Sequence, residues 1–175
     1  MRAQDITIEW LQKIDFKIQP ICISQKIEGV LVRDLKVVLD GRGDVTELWS
    51  KPWFNEDLTE IEHVYQSATD YGVTKCWHLH EIHTDQFIVT RGKLQVTLVD
   101  LREDSSTFSH VNVIFLGTLQ PRLIKIPPMI MHGWKAISQP EVIVINLQSH
   151  TYSPTDEYRF PWDCVLSEIW EPLNG

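Results

Sequence analysis

Long hydrophobic runs are missing from this chain. No stretch approaches the about eighteen apolar residues of a transmembrane helix. The first residues, Met1–Gln12, lack a basic segment followed by an apolar one, so no secretory signal is expected and a cytoplasmic location is. Cysteine is scarce. Cys22, Cys76 and Cys164 are odd in number and far apart, which speaks against a disulfide framework and against a Cys-x-x-Cys metal site. They read as free, buried thiols. Basic residues are few: 16 Lys and Arg stand against 24 Asp and Glu, a net charge of −8 that disfavours nonspecific nucleic-acid binding. An anionic small molecule would need a local basic pocket, for which Arg33, Arg42, Lys75 and Arg122 are the residues at hand.

What is present fits one domain over residues 1–175, with 43% apolar residues able to form a core without disulfide or metal staples. No repeat or low-complexity segment interrupts it. Helical periodicity is confined to the ends. Ile6, Trp10, Leu11 and Ile14 share one helical face, and Val165–Trp170 reads equally as a helical turn or a strand. Asn55–Thr59 reads as a turn or a short 3-10 segment.

Between the ends lie short apolar or alternating runs: Gly29–Leu39, Thr46–Trp49, Ile61–Ser67, Thr74–His80, Gln86–Thr90, Lys93–Leu101, Val111–Leu116, Arg122–Ile126, Gly133–Ala136 and Val142–Gln148. Turn signals such as Asp40–Gly43, Arg91-Gly92 and Gln139-Pro140 separate them. Many short strands so spaced predict an all-β sandwich or barrel.

Four segments carry polar chemistry. In Gly72–Gly92, His78 and His80 are two apart on a predicted strand, so both face the same side. Asp85 follows after a turn, and His132 comes later, after Pro127-Pro128. Three imidazoles and a carboxylate suit Zn, Fe, Mn or Ni. The same histidines serve equally as general bases near neutral pH. His63, His83, His110 and His150 read as ordinary core or surface residues. In Asp40–Trp49, Arg42 sits at a glycine-rich turn tip, where it could clamp a phosphate, although spacing alone favours a solvated turn. Val99–Phe108 reads as a strand end and a serine-rich turn, and His150–Asp163 as an aromatic and acidic segment at a sandwich end or pocket mouth.

Taken in chain order, these segments resemble the dTDP-4-dehydrorhamnose 3,5-epimerase family of the cupin superfamily. Asp40-Gly-Arg42-Gly43 with Glu47 is similar to D-x-R-G-x-x-x-E, and Gly72-Val73 with His78 to G-V-x-R-G-L-H. Val99–Arg102 with Ser106–Phe108 is similar to V-D-x-R-x-x-S-P-T-F, Ile126-Pro-Pro with His132-Gly133 to I-P-P-G-x-x-H-G, and Tyr152–Glu157 with Trp162-Asp163 to Y-x-P-x-x-E and W-D. The likeness runs from about residue 30 to 163. It implies a double-sheet jelly roll with short terminal helical segments, a homodimer, and a nucleotide-diphosphate sugar as partner, without nucleic acid, membrane or cofactor. It further implies His78 as the base that removes a proton alpha to the C4 ketone. His132 would assist at the reacting centre, and Arg42, Glu47, Lys75 and Tyr152 would bind substrate.

The chain also departs from that pattern. Asn146 stands at the position of the family's acid tyrosine, and Tyr65 or Tyr152 would have to replace it. Asp85 stands at a strand-start lysine, and Lys75 at an arginine. The family's histidine-orienting aspartate belongs to a C-terminal segment that this chain is expected to lack. Gly72, His78, His80, Asp85 and Gly92 instead fit the general cupin metal motif G-x5-H-x-H-x3–4-E-x6-G, with aspartate for glutamate. An alternative expectation is therefore a divalent metal (Fe, Mn, Ni or Zn) held by His78, His80, Asp85 and His132, and a third is a noncatalytic sugar-binding cupin.

Overall fold

The structure, a computed structural model, describes residues 1–19, 27–54 and 58–172. Cys22 and most of the Asn55–Thr59 turn lie outside them. No helix among the described residues is long and apolar enough to cross a membrane.

Two sheets face each other. The first has the order β1 (Lys17–Gln19), β9 (His110–Gly117), β8 (Lys93–Asp100), β11 (Ile130–Ala136), β6 (Thr74–Leu79), β13 (Tyr158–Arg159). The second has the order β2 (Leu31–Asp34), β10 (Arg122–Ile126), β7 (Asp85–Arg91), β12 (Glu141–Gln148), β5 (His63–Asp70). A separate hairpin pairs β3 (Val37–Asp40) with β4 (Gly43–Thr46). The double-sheet jelly roll expected from the sequence is what the chain forms.

Alternation sets the layers. On β7, β8, β11 and β12 every second residue enters the space between the sheets, where Phe87, Val89, Val96, Leu98, Trp134 and Val144 form one buried core. The intervening residues point outward and are covered in turn. Trp77, Leu79, Val99 and Met131 on the back of the first sheet are roofed by Ala3, Ile6, Leu11 and Trp170 from the two chain ends. Ile88, Leu123 and Leu147 on the back of the second meet Leu35 and Leu58, with Leu48, Trp49 and Trp53 packed against them. Each such fully buried large side chain contributes about 1.5–3 kcal/mol relative to exposure.

Boundaries differ from expectation where packing or turns intervene. The amino-terminal helix is only α1 (Ile8–Leu11), because Thr7 caps it, its side chain accepting from the Trp10 amide at 3.2 Å. Gly29–Leu39 is divided into β2 and β3, and Leu48 and Trp49 leave the hairpin to cover the second sheet rather than continue a strand. The one-turn helix α2 (Lys51–Phe54) accommodates Pro52 in its first turn, where no donor is missed. Val165–Trp170 ends in a 3-10 turn at Ser167–Trp170. Cys76 and Cys164 are free thiols as expected, though half-buried rather than buried.

Candidate active site

Between the sheets, beyond the apolar core, a cavity of about 690 Å³ opens. That size falls in the range of small-molecule sites. Its two walls come from different sheets. β6 and β11 supply His78, Trp134 and His132; β5, β7 and β12 supply Tyr65, Asp85, Phe87 and Gln148. All are inward positions of their strands.

At the floor, Asp85 is 2% exposed and His132 is 2% exposed. Asp85 Oδ1 accepts from Asn146 Nδ2 at 2.8 Å and from Gln148 Nε2 at 2.9 Å. Its other oxygen, Oδ2, lies 3.2 Å from His132 Nε2 and 3.5 Å from His80 Nε2. Each imidazole is oriented through its far nitrogen. His80 Nδ1 donates to the Asp156 carbonyl at 2.6 Å, and His132 Nδ1 to the Ile130 carbonyl at 3.0 Å. Burial raises the Asp85 carboxyl, but His132, His80 and the Asn146 amide outweigh it and hold the group well below the usual carboxylate range. Burial lowers His80, with Asp85 opposing.

His78 stands apart from this cluster. Its ring meets those of His132 at 6.0 Å and Trp134 at 6.3 Å, and neither of its nitrogens has a hydrogen-bond partner among the described residues. Burial, with the nearby His132 and Arg159, pulls it down to about 4. An unpaired imidazole facing a cavity is free to accept a proton from a ligand.

Lys75 reaches the same cavity for a reason that alternation conceals. It is three residues from His78, so a regular strand would turn it away. A bulge intervenes: His132 pairs with His78 but Trp134 pairs with Lys75, leaving an extra residue on β6. Lys75 Nζ then donates to Ser67 Oγ at 3.0 Å and to the Ala68 carbonyl at 2.7 Å. Gly133 lies opposite the bulge. A Cβ there would sit 2.1 Å from Cys76 Cβ and 2.9 Å from Cys76 Cα, so the strands can approach only because Gly133 has none.

On the facing wall Asn146 pairs in register with Tyr65. Its Nδ2 donates to the Tyr65 hydroxyl oxygen at 2.9 Å. The phenol proton itself has no acceptor among the described residues. Burial and the Asp85 charge push Tyr65 up to about 12, so it stays protonated at neutral pH. At the mouth Glu157 accepts from Arg159 Nε at 3.0 Å and from the exposed Tyr152 hydroxyl at 3.3 Å.

Sequence patterns missed Asp156. Its carboxylate is 3% exposed and accepts from the backbone amides of Glu81 at 2.8 Å, Ile82 at 3.0 Å and His83 at 2.9 Å. It also contacts His83 Nδ1, while His83 Nε2 donates to the Thr151 carbonyl at 2.9 Å. With both nitrogens donating, His83 is a clamp that ties the loop after β6 to the segment after β12. The structural reading of His83 fits this arrangement, although both His83 and His63, also read as structural, line the cavity, where His63 contacts Gln148 Oε1 at 3.1 Å.

Comparison with known proteins decides the family. The sequence profile of the dTDP-4-dehydrorhamnose 3,5-epimerases matches residues 24–172. The chain belongs to this epimerase family. Among curated relatives, a probable low-salt glycan biosynthesis epimerase of Haloferax volcanii is 35% identical over 78% of this chain and 89% of its own length. A spore coat polysaccharide biosynthesis protein of Bacillus subtilis is 34% identical over 78% and 91%. A solved dTDP sugar isomerase from Desulfovibrio desulfuricans superposes with a TM-score of 0.74 over 85% of this chain and 91% of that one, at 24% identity, and so shares its fold.

Within this epimerase scaffold the expected site residues divide. His78, His80, Asp85, His132, Lys75 and Tyr152 all line the one cavity. Arg42 and Glu47 do not. Arg42 is at the tip of the β3–β4 hairpin, its side chain 90% exposed and paired with Asp40. Of the four residues expected to share a metal, three converge, His80, Asp85 and His132, with ligand atoms within 4.8 Å of one another, and His78 is outside the set.

Proposed function

We propose that the chain is a nucleotide-diphosphate-sugar epimerase that inverts a carbon alpha to the ketone of a dTDP-4-keto-6-deoxyhexose, with His78 as base and Tyr65 as acid. Family membership supports the reaction class. The observation that carries the assignment of roles is the placement of these two groups on opposite sheets across one cavity. Inversion requires a proton to leave one face of the carbon and another to arrive at the opposite face. His78, unpaired, takes the first. Tyr65, whose oxygen is held by Asn146 and whose proton is uncommitted, delivers the second. The enolate oxygen formed between these steps needs fixed positive charge or donors. Lys75 and Arg159 are the groups that reach the cavity to provide them.

In this reading Tyr152 and Phe87 contact the sugar or nucleotide, and the enzyme works as a cytoplasmic homodimer. Arg42 and Glu47 do not line the cavity of their own chain, so in this reading a role for them in substrate binding falls to the cavity of a second copy. Incubation with dTDP-4-keto-6-deoxyglucose, followed by proton NMR of the sugar, tests the proposal. An epimer at C3, C5 or both is expected; unchanged substrate beside a sample that binds dTDP would leave the noncatalytic sugar-binding reading standing.

A further inference from the structure

The floor of the cavity poses a problem of donors and acceptors. Backbone carbonyls can only accept, so the bonds from His80 Nδ1 to Asp156 and from His132 Nδ1 to Ile130 place a proton on each Nδ1. In the neutral rings both Nε2 atoms then carry lone pairs. Both point at Asp85 Oδ2, an acceptor as well. The other carboxylate oxygen is already turned away by two amides. With both rings neutral, three lone-pair atoms thus converge in a buried space with no donor between them.

We propose that His80 Nε2, His132 Nε2 and Asp85 Oδ2 bind one divalent transition-metal cation. The separations suit it. Donors bonded to one ion at about 2.1 Å lie roughly 3.0–3.5 Å apart, and the two nitrogen–oxygen distances are 3.2 and 3.5 Å. The outer shell is complete: each histidine donates its second nitrogen to a carbonyl and the carboxylate is oriented by two amides, the arrangement that fixes ring tautomers in metal sites. Two imidazoles and one carboxylate select Fe, Mn, Ni or Zn over Mg or Ca and leave open positions toward the cavity. The bound ion would place positive charge at a floor whose own formal charge is the Asp85 carboxylate, next to the space where the enolate oxygen must be held. His83 and Asp156, the neighbouring grouping, form no such site, because both His83 nitrogens already donate.

The site stands on its own geometry, and its test needs no turnover. Chelator-stripped protein is titrated calorimetrically with Fe²⁺ under anaerobic conditions, and with Mn²⁺, Ni²⁺ and Zn²⁺, each as the metal alone. One equivalent of at least one cation is expected, with a Kd of about 10 µM or tighter. Excess of that cation should raise the thermal midpoint. Cobalt(II) should bind with visible absorption bands that are lost in His132→Ala. Asp85→Asn should weaken binding at least about 10-fold, as should Gln148→Ala, which removes only an orienting amide. His110→Ala, on β9 outside the cavity, should bind as wild type. Two results overturn the proposal: stripped protein with unchanged circular dichroism that takes up none of the four cations, or wild-type affinity in His132→Ala and Asp85→Asn alike. In the first case the convergent atoms share protons, and epimerase activity measured on the same stripped sample reports separately on the reaction.

Discussion

Asn146 and Tyr65 face each other across the β12–β5 pairing, and the Asn146 amide donates to the Tyr65 phenol oxygen at 2.9 Å. Asn146 stands where the sequence resemblance expects the family's acid tyrosine, yet a phenol stands one strand away on the cavity wall. The bond leaves the phenol proton without an acceptor among the described residues, as the proposed shift of the acid role to Tyr65 requires.

Tyr65→Phe tests this shift. The ring is kept, so stability should change by no more than about 1 kcal/mol, the worth of one hydrogen bond. Epimer formation should fall about 10²–10⁴-fold. Proton exchange should survive, because His78 can still remove a proton and return one to the same face. Deuterated but uninverted substrate, read by mass spectrometry and NMR, is the expected signature. Normal epimer yield in this variant would place the acid elsewhere.

Gly133→Ala should disturb both walls of the β6 bulge. The added carbon would lie 2.1 Å from Cys76 Cβ, with backbone also within 3.0 Å, so the neighbouring strand must move. A loss of roughly 2–3 kcal/mol is expected in urea unfolding. Because His78 and Lys75 flank the bulge, activity should fall in the fraction that remains folded. Full stability would mean that β6 accommodates the methyl without changing register.

Asp100 offers a pH test remote from the cavity. It is fully buried, and its carboxylate accepts from the Arg102 backbone and side chain, Ser105 Oγ at 2.7 Å and Thr107 Oγ1 at 2.6 Å. Burial raises the group, but these bonds prevail and hold it below its ordinary value. A depressed carboxylate contributes stability that is present above its unfolded value near about 4 and lost as pH falls through the folded one. Asp100→Asn should therefore cost about 3 kcal/mol at pH 7, and the gap to wild type should narrow below about pH 4. A gap independent of pH would mean that charge is not what the network holds.

Much of this was legible from local pattern, and the reason is alternation. His78 and His80 share a face because they are two apart, and β10 runs from Arg122 to Ile126 as its apolar pattern predicts. Features set by pairing between distant strands were not legible. Lys75 enters the cavity only through a bulge opposite Gly133, and a bulge is a property of two strands. Asp156 lies in a 3-10 turn after a Ser-Pro step, and nothing local marks it as the acceptor of three amides more than seventy residues away. Likewise, Arg42 follows its motif in the sequence, but it sits exposed at a hairpin tip and does not line the cavity.

Proton removal by His78 from a carbon beside a ketone is the step on which the proposed function depends. It is tested most directly by incubating wild type and His78→Asn with dTDP-4-keto-6-deoxyglucose in D₂O and following the C3 and C5 protons by NMR. Deuterium is expected at one or both carbons with wild type, and a rate about 10²–10⁴-fold lower with His78→Asn at unchanged fold and dTDP affinity. Equal exchange rates in the two proteins, or no exchange in wild type that binds the substrate, would contradict it.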